Sequence, residues 1–293
     1  MLRNCFLSIG LLFVCSISYG QNNLKMNAWQ DSLSHLATKI VGTVAETERI
    51  ESNFTFVKTL VSALKEPNSF YFNFEKLKMV SILNSPDNSF RIMTWNLALQ
   101  DGSYLYYGTI QYKSGTIKLT PLLDKTFQIG NPDQDVISNK EWYGAQYYQI
   151  VPLSKSQYVL LGWKGHHADY TKKVIDVLNF SPNGEVTFGA PVFSDDTKIS
   201  RRIFSYTKQA SMYLKFDATQ GRVEFDHIVP ADPSLKGNFK YYGPDLTYDA
   251  YAIANGKLYL KTDIKIQNPE RGDEDKYIDP NKPSRKFKSG LQE

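Results

Sequence analysis

Cysteine is almost absent from this chain. Only Cys5 and Cys15 occur, both within the first 20 residues. A chain trimmed after Gly20 has no thiol left for disulfides, thiol catalysis or cysteine metal sites. Long apolar runs are as scarce. The one such stretch, Cys5 to Ile17, is shorter than the about 20 residues a membrane helix needs. Clustered charge is missing too: 34 basic against 30 acidic residues give +4, with lysines scattered along the chain. Nucleic-acid binding, which needs a basic face, is therefore disfavoured. The chain also lacks a G-x-S-x-G elbow, a glycine-rich phosphate loop, an H-E-x-x-H pair and a D-x-D-x-D-G calcium loop. These absences remove the commonest signatures of hydrolases and nucleotide or calcium sites.

What is present begins with an export signal. Arg3 precedes the apolar run, and Ser18-Tyr19-Gly20 puts small residues at the −3 and −1 positions of a cleavage site. Residues 1–20 are expected to be a signal peptide, so the mature chain starts at Gln21, secreted or periplasmic, without a transmembrane span. The alternative is a lipoprotein acylated at Cys15, because Leu12–Cys15 loosely resembles a lipobox. Val14 stands where a small residue is the rule.

Hydrophobic periodicity then divides the chain. Residues 21–68 read as a helical segment. Trp29, Leu33, Leu36, Ala37 and Ile40 recur at helical spacing over about Asn27 to Val41. Thr43 and Glu46 form a T-x-x-E pattern that announces a second helix. Ile50, Phe54, Val57, Val61 and Leu64 are its expected core face, and it stops before Pro67. From Ser69 the period changes to two, and 69–267 reads as an antiparallel β domain. Short strands such as "SFRIMTWNL", "SYLYYGTIQY", "QYVLLGW" and "KKVIDVLNF" alternate with the turn signals "QDG", "SPDN", "SPNG" and "ANG". No helical crossovers are available for parallel units. The fold class is α+β, mainly antiparallel β in hairpins or a meander, sandwich-like or a partial propeller, with two N-terminal helices. The polar residues 268–293 read as a flexible tail.

The densest collection of reactive side chains is "GWKGHHADY", Gly162 to Tyr170. It falls between two strands, so His166 and His167 share a metal only if the backbone turns there, with Asp169 as a third ligand. The competing reading is a polar hairpin turn with solvated imidazoles. Trp163 joins these three as a binding candidate. With Trp142 and Tyr143 it is suited either to stacking on a sugar or peptide or to filling a sheet face. His227 falls in a row with Val223, Phe225 and Val229 and reads as a hydrogen-bonded core member. Asp176 shares a face with Val174, Leu178 and Phe180 and needs a buried cation; Lys164, across the same hairpin, is the expected partner.

Three segments, "SPDNSFRIMTWN", "YVLLGWKGHHADYTKKVIDVLNF" and "PADPSLKGNFKYYGPDLTYDAY", together resemble uncharacterised secreted β-rich proteins of Bacteroidota-type bacteria. The resemblance spans most of the mature chain and implies a bacterial, exported protein. It carries no catalytic residues across. The function expected is a non-enzymatic binding or structural protein of the periplasm or cell envelope. Its partner would be an envelope component, a peptide or a glycan, with no cofactor. The alternative is a metal-dependent periplasmic hydrolase using His166, His167 and Asp169 with a divalent metal.

Overall fold

The computed structural model describes residues 23–113 and 118–266. The expected signal peptide at 1–20 and the expected tail at 268–293 lie outside them. The first helix, α1, covers residues 23–41 and buries Met26, Gln30, Leu33, Ala37 and Ile40. These positions step by three and four, so they share one face, with Trp29 and Leu36 half-buried at its margin. The expected stripe is in place.

The second helix, α2, spans Glu46–Leu64 and departs from expectation twice. Its N-cap is Ala45, with no side-chain cap, so the Thr43–Glu46 box does not form. Glu46 opens the helix instead and accepts a hydrogen bond from the Gln100 backbone N–H at 2.6 Å. The buried face carries Asn53, Phe56, Leu60, Ala63 and Leu64, while Ile50 and Phe54 are exposed. Trp95 selects that face: its indole N–H donates to Asn53 Oδ1 at 2.9 Å, and its ring meets Phe56 edge-on at 5.4 Å. A polar anchor has rotated the helix away from its apparent apolar stripe.

Among the described residues fourteen strands follow in three sheets, all antiparallel within their ladders. The first sheet is a meander of β1 (Ser81–Asn84), β2 (Phe90–Ala98), β3 (Tyr104–Tyr112) and β4 (Leu119–Leu123). The second contains β5 (Ile137–Ser138), β6 (Gln146–Ser154), β7 (Gln157–Gly165), β8 (Tyr170–Phe180), β9 (Val186–Phe188) and β10 (Arg202–Thr207), in the order β5-β9-β8-β7-β6, with β10 also on β8. The long β8 thus shares its outer edge between two strands. Phe180 to Leu178 pair with β9, and Ile175 to Tyr170 pair with β10. The third sheet runs β11 (Leu214–Asp217), β12 (Arg222–Pro230), β13 (Tyr242–Ala254) and β14 (Lys257–Lys261). The expected pairing of Gly162–Trp163 with Val174–Ile175 is present, with Gly162 opposite Val174 and Trp163 opposite Lys173.

Alternation along the strands sorts the side chains into layers. Met93, Trp95 and Leu97 of β2 pack against the helices, while Phe90 and Ile92 point the other way. There they meet Tyr147, Leu160, Val174 and Leu178 of the second sheet. On that sheet's far face, Val159, Leu161, Ile175 and Val177 join Leu214, Val223, Phe225, Tyr251 and Leu258 of the third. The order is helices, first sheet, second sheet, third sheet. Among the described residues none of the sheets is closed, and the second is covered on both faces. Arg91 fastens the helical layer to the first sheet by donating to Gln111 Oε1 and to the carbonyls of Ser69 and Phe72 at 2.7–2.8 Å.

Candidate functional site

The Gly165 end of β7 and the Tyr170 end of β8 carry polar side chains on both faces. On the face toward the first sheet, Lys164 stands opposite Lys172 in the ladder. Lys164 is fully buried. Its ammonium donates to Thr126 Oγ1 at 2.8 Å and to the Gly144 carbonyl, beneath the rings of Tyr106 and Tyr143 at 4.5 and 4.2 Å. Thr126 Oγ1 in turn donates to Asp124. Burial pushes the Lys164 pKa down to about 7, with Asp124 opposing. Lys172 is held down to about 8 by the same cause.

Lys164 is therefore not the partner of Asp176. The register places Asp176 opposite Leu160, farther along the hairpin. Its buried cation is Arg201, just before β10, with Nε donating to Oδ1 at 2.9 Å; Tyr147 donates its hydroxyl to Oδ2 at 2.8 Å. The ion pair exists as expected, but its cation comes from a distant segment.

The turn between β7 and β8 is exposed at His167 to Asp169 and held by ring contacts at its base. Tyr170 is its hub, with the His166 and His167 rings at 5.2 and 5.5 Å and Phe239 at 5.6 Å. The His167 backbone N–H donates to the Tyr170 carbonyl, and Nδ1 of His167 accepts the Asp169 backbone N–H at 3.3 Å. Gly102, at φ +84°, approaches so closely that a Cβ there would meet Ala168 Cα at 2.9 Å. Burial, then the neighbouring Lys172 and Lys164, push the His166 pKa down to about 4. Its imidazole is neutral at physiological pH. Among the described residues no three His, Cys, Asp or Glu side chains are placed to hold one metal ion.

The opposite face of the same strand ends forms a groove. Trp163 and Gly165 of β7, Thr171 and Lys173 of β8, and Phe204 and Tyr206 of β10 lie at alternate positions and so share that face. A cavity of about 330 Å³ is lined by Trp163, Thr171, Lys173, Tyr206, Lys208 and the segment Ala210 to Met212. It opens where the core between the second and third sheets ends. Gly165 is what lets the indole lie down: a Cβ there would stand 2.5 Å from Trp163 Cη2 and 2.4 Å from Tyr104 Cε2. Tyr104 meets the indole edge-on at 5.2 Å. Lys173 donates to the Met212 carbonyl at 2.6 Å, and its pKa is lowered by burial, with Asp226 opposing. Burial pushes the Tyr206 hydroxyl up to about 12. The Lys208 backbone N–H is bound to the Asp169 carbonyl, which ties the histidine turn to the rim.

Of the four candidate residues, Trp163 lines the groove. His166, His167 and Asp169 lie in the adjoining turn, outside the lining. Trp142 and Tyr143 are buried in the core between the first two sheets and fill it. His227 is exposed, contrary to its apparent row. A bulge between Asp226 and Ile228 breaks the alternation, with Leu246 at φ +72° on the facing strand. The ring is left at the surface, its Nδ1 2.8 Å from Asp249 Oδ2. Lys173, Tyr206, Lys208 and Ser211 were not singled out from sequence. Lys173 was within reach through the β7–β8 register, whereas the others depend on β10. No family model, no curated protein and no solved structure matches the chain.

Proposed function

We propose that the chain is an exported, non-enzymatic binding protein whose ligand seats in the groove at Trp163. One observation carries this reading: a half-buried indole, two ammonium groups and three hydroxyl-bearing side chains from β7, β8, β10 and the loop after β10 converge on a single concavity. Concave sites with few polar groups on an apolar wall are the ordinary form of small-ligand sites. The leader at 1–20 supports export. Soluble oligosaccharides and peptides, screened by thermal shift, should yield a ligand that raises the wild-type melting temperature but not that of Trp163→Ala. At a hundredfold excess over Kd, the gain is about 2.7 kcal/mol. A ligand that stabilises both proteins equally places the site elsewhere, and turnover of the ligand, read by mass spectrometry, replaces binding with catalysis.

The metal-dependent hydrolase remains the second reading, favoured by the neutral His166 imidazole beside His167 and Asp169, since metals take neutral imidazole. Zinc should leave the melting temperature unchanged if the turn is structural. A zinc-dependent rise that is lost in His166→Ala with His167→Ala favours the hydrolase.

A further inference from the structure

We infer that the groove takes an acidic saccharide, a pyranose unit bearing a carboxylate or sulfate. The inference rests on the binding reading above and adds the chemistry of the ligand. Both charged side chains in the lining are lysines, and no lining residue is acidic. Lys173 spends one of its three N–H donors on the Met212 carbonyl and keeps the others for a ligand. The exposed Lys208 ammonium lies 5.7 Å from the Tyr104 ring centroid and has no hydrogen-bond partner among the described residues. Asp226 is near enough to favour the charged form of Lys173. Its Oδ2 is already taken by the Tyr213 backbone N–H at 2.5 Å. A half-buried ammonium in such a place favours an anion over water.

The shape adds the ring. Trp163 is laid flat by Gly165 and braced by Tyr104, so it offers a rigid apolar face with its position already fixed. Ser211 and the Tyr206 hydroxyl edge it with groups that both donate and accept hydrogen bonds, beside the buried Thr171 hydroxyl, which already donates to the Lys164 carbonyl at 3.4 Å and is left to accept. A pyranose has one face of C–H bonds and a rim of hydroxyls, and it matches an aromatic floor with a hydroxyl-rich edge. An acidic peptide would use the lysines but leave the indole and the hydroxyls without counterparts.

The test is calorimetric titration of the full mature chain with an oligogalacturonate, a sulfated galactan oligomer and a neutral galactan oligomer. Both acidic oligomers, or one of them, should bind at least about tenfold more tightly than the neutral one; the better of the two names the anion. Lys208→Met, at an exposed position, should weaken acid binding about fivefold to tenfold and neutral binding by clearly less; Lys173→Met is the second variant. Equal binding of acidic and neutral oligomers, lost in Trp163→Ala and untouched by the lysine variants, overturns the acidic ligand and keeps the groove. Binding that also survives Trp163→Ala overturns both. An acidic peptide that binds as tightly as the oligogalacturonate overturns the saccharide.

Discussion

Replacing Asp176 with alanine is expected to destabilise the protein by about 3–5 kcal/mol, the usual cost of removing one partner from a buried ion pair. The carboxylate and the Arg201 guanidinium are both completely buried, 2.9 Å apart. Among the described residues Asp176 is the one anionic partner of the Arg201 guanidinium. Its Nη1 bonds the carbonyls of Pro132 and Asp135, and Nη2 has no hydrogen-bond partner among the described residues. Without Asp176, the cation keeps only neutral acceptors, and the buried Tyr147 hydroxyl loses its acceptor. The paired change Asp176→Leu with Arg201→Met should recover most of the loss, because well-packed apolar replacements of buried pairs are often neutral or stabilising. Urea denaturation of the wild type and both variants measures this. A single variant within about 1 kcal/mol of wild type would mean that the pair is not buried as described.

The second large effect is a dependence of stability on pH set by Lys164. Its folded pKa is pushed from 10.5 down to about 7 by burial. Between these values the unfolded chain binds more protons than the folded one, so stability rises with pH through this window. Below about pH 7 the folded state carries the full cost of a buried ammonium. At 1.36 kcal/mol per unit the gap sets a ceiling of about 5 kcal/mol. Lys172, lowered to about 8, adds to the same slope. Above pH 10 the buried tyrosines, raised by burial, reverse the trend because the unfolded chain ionises them first.

Lys164→Met should therefore cross the wild type. It removes the ammonium cost at pH 6 but leaves the Gly144 carbonyl without its donor, a loss of about 1–3 kcal/mol at every pH. The variant should be the more stable protein at pH 6 and the less stable at pH 10. Parallel profiles from chemical denaturation across this range would show that Lys164 titrates normally.

The parts of this account that were legible in the sequence are those set by local periodicity. Helix α1, the β7–β8 hairpin and the pairing of Trp163 with its neighbour strand follow from alternation and turn chemistry alone. Sequence reading failed where a polar side chain or a distant segment decides the geometry. Asn53 is the buried anchor of α2 although Phe54 is the better core residue by type. Arg201 reaches Asp176 from beyond β9, and no spacing rule pairs them. His227 left its row because of a bulge formed on the facing strand. The groove was half visible: Trp163 and the adjoining turn stood out, but its other wall depends on β10 pairing directly with β8, from which β9 separates it in sequence.

The most direct test of the binding groove is fluorine NMR of protein labelled with 5-fluorotryptophan during titration with an oligogalacturonate. The chain has four tryptophans, Trp29, Trp95, Trp142 and Trp163, and each gives one resonance assignable by substitution. Trp95 and Trp142 are buried, and Trp29 lies against the helical layer, so only the Trp163 resonance should move, saturably and with the calorimetric Kd. Saturable binding that moves Trp29 while Trp163 stays still, or that moves none of the four, would contradict the groove as the site.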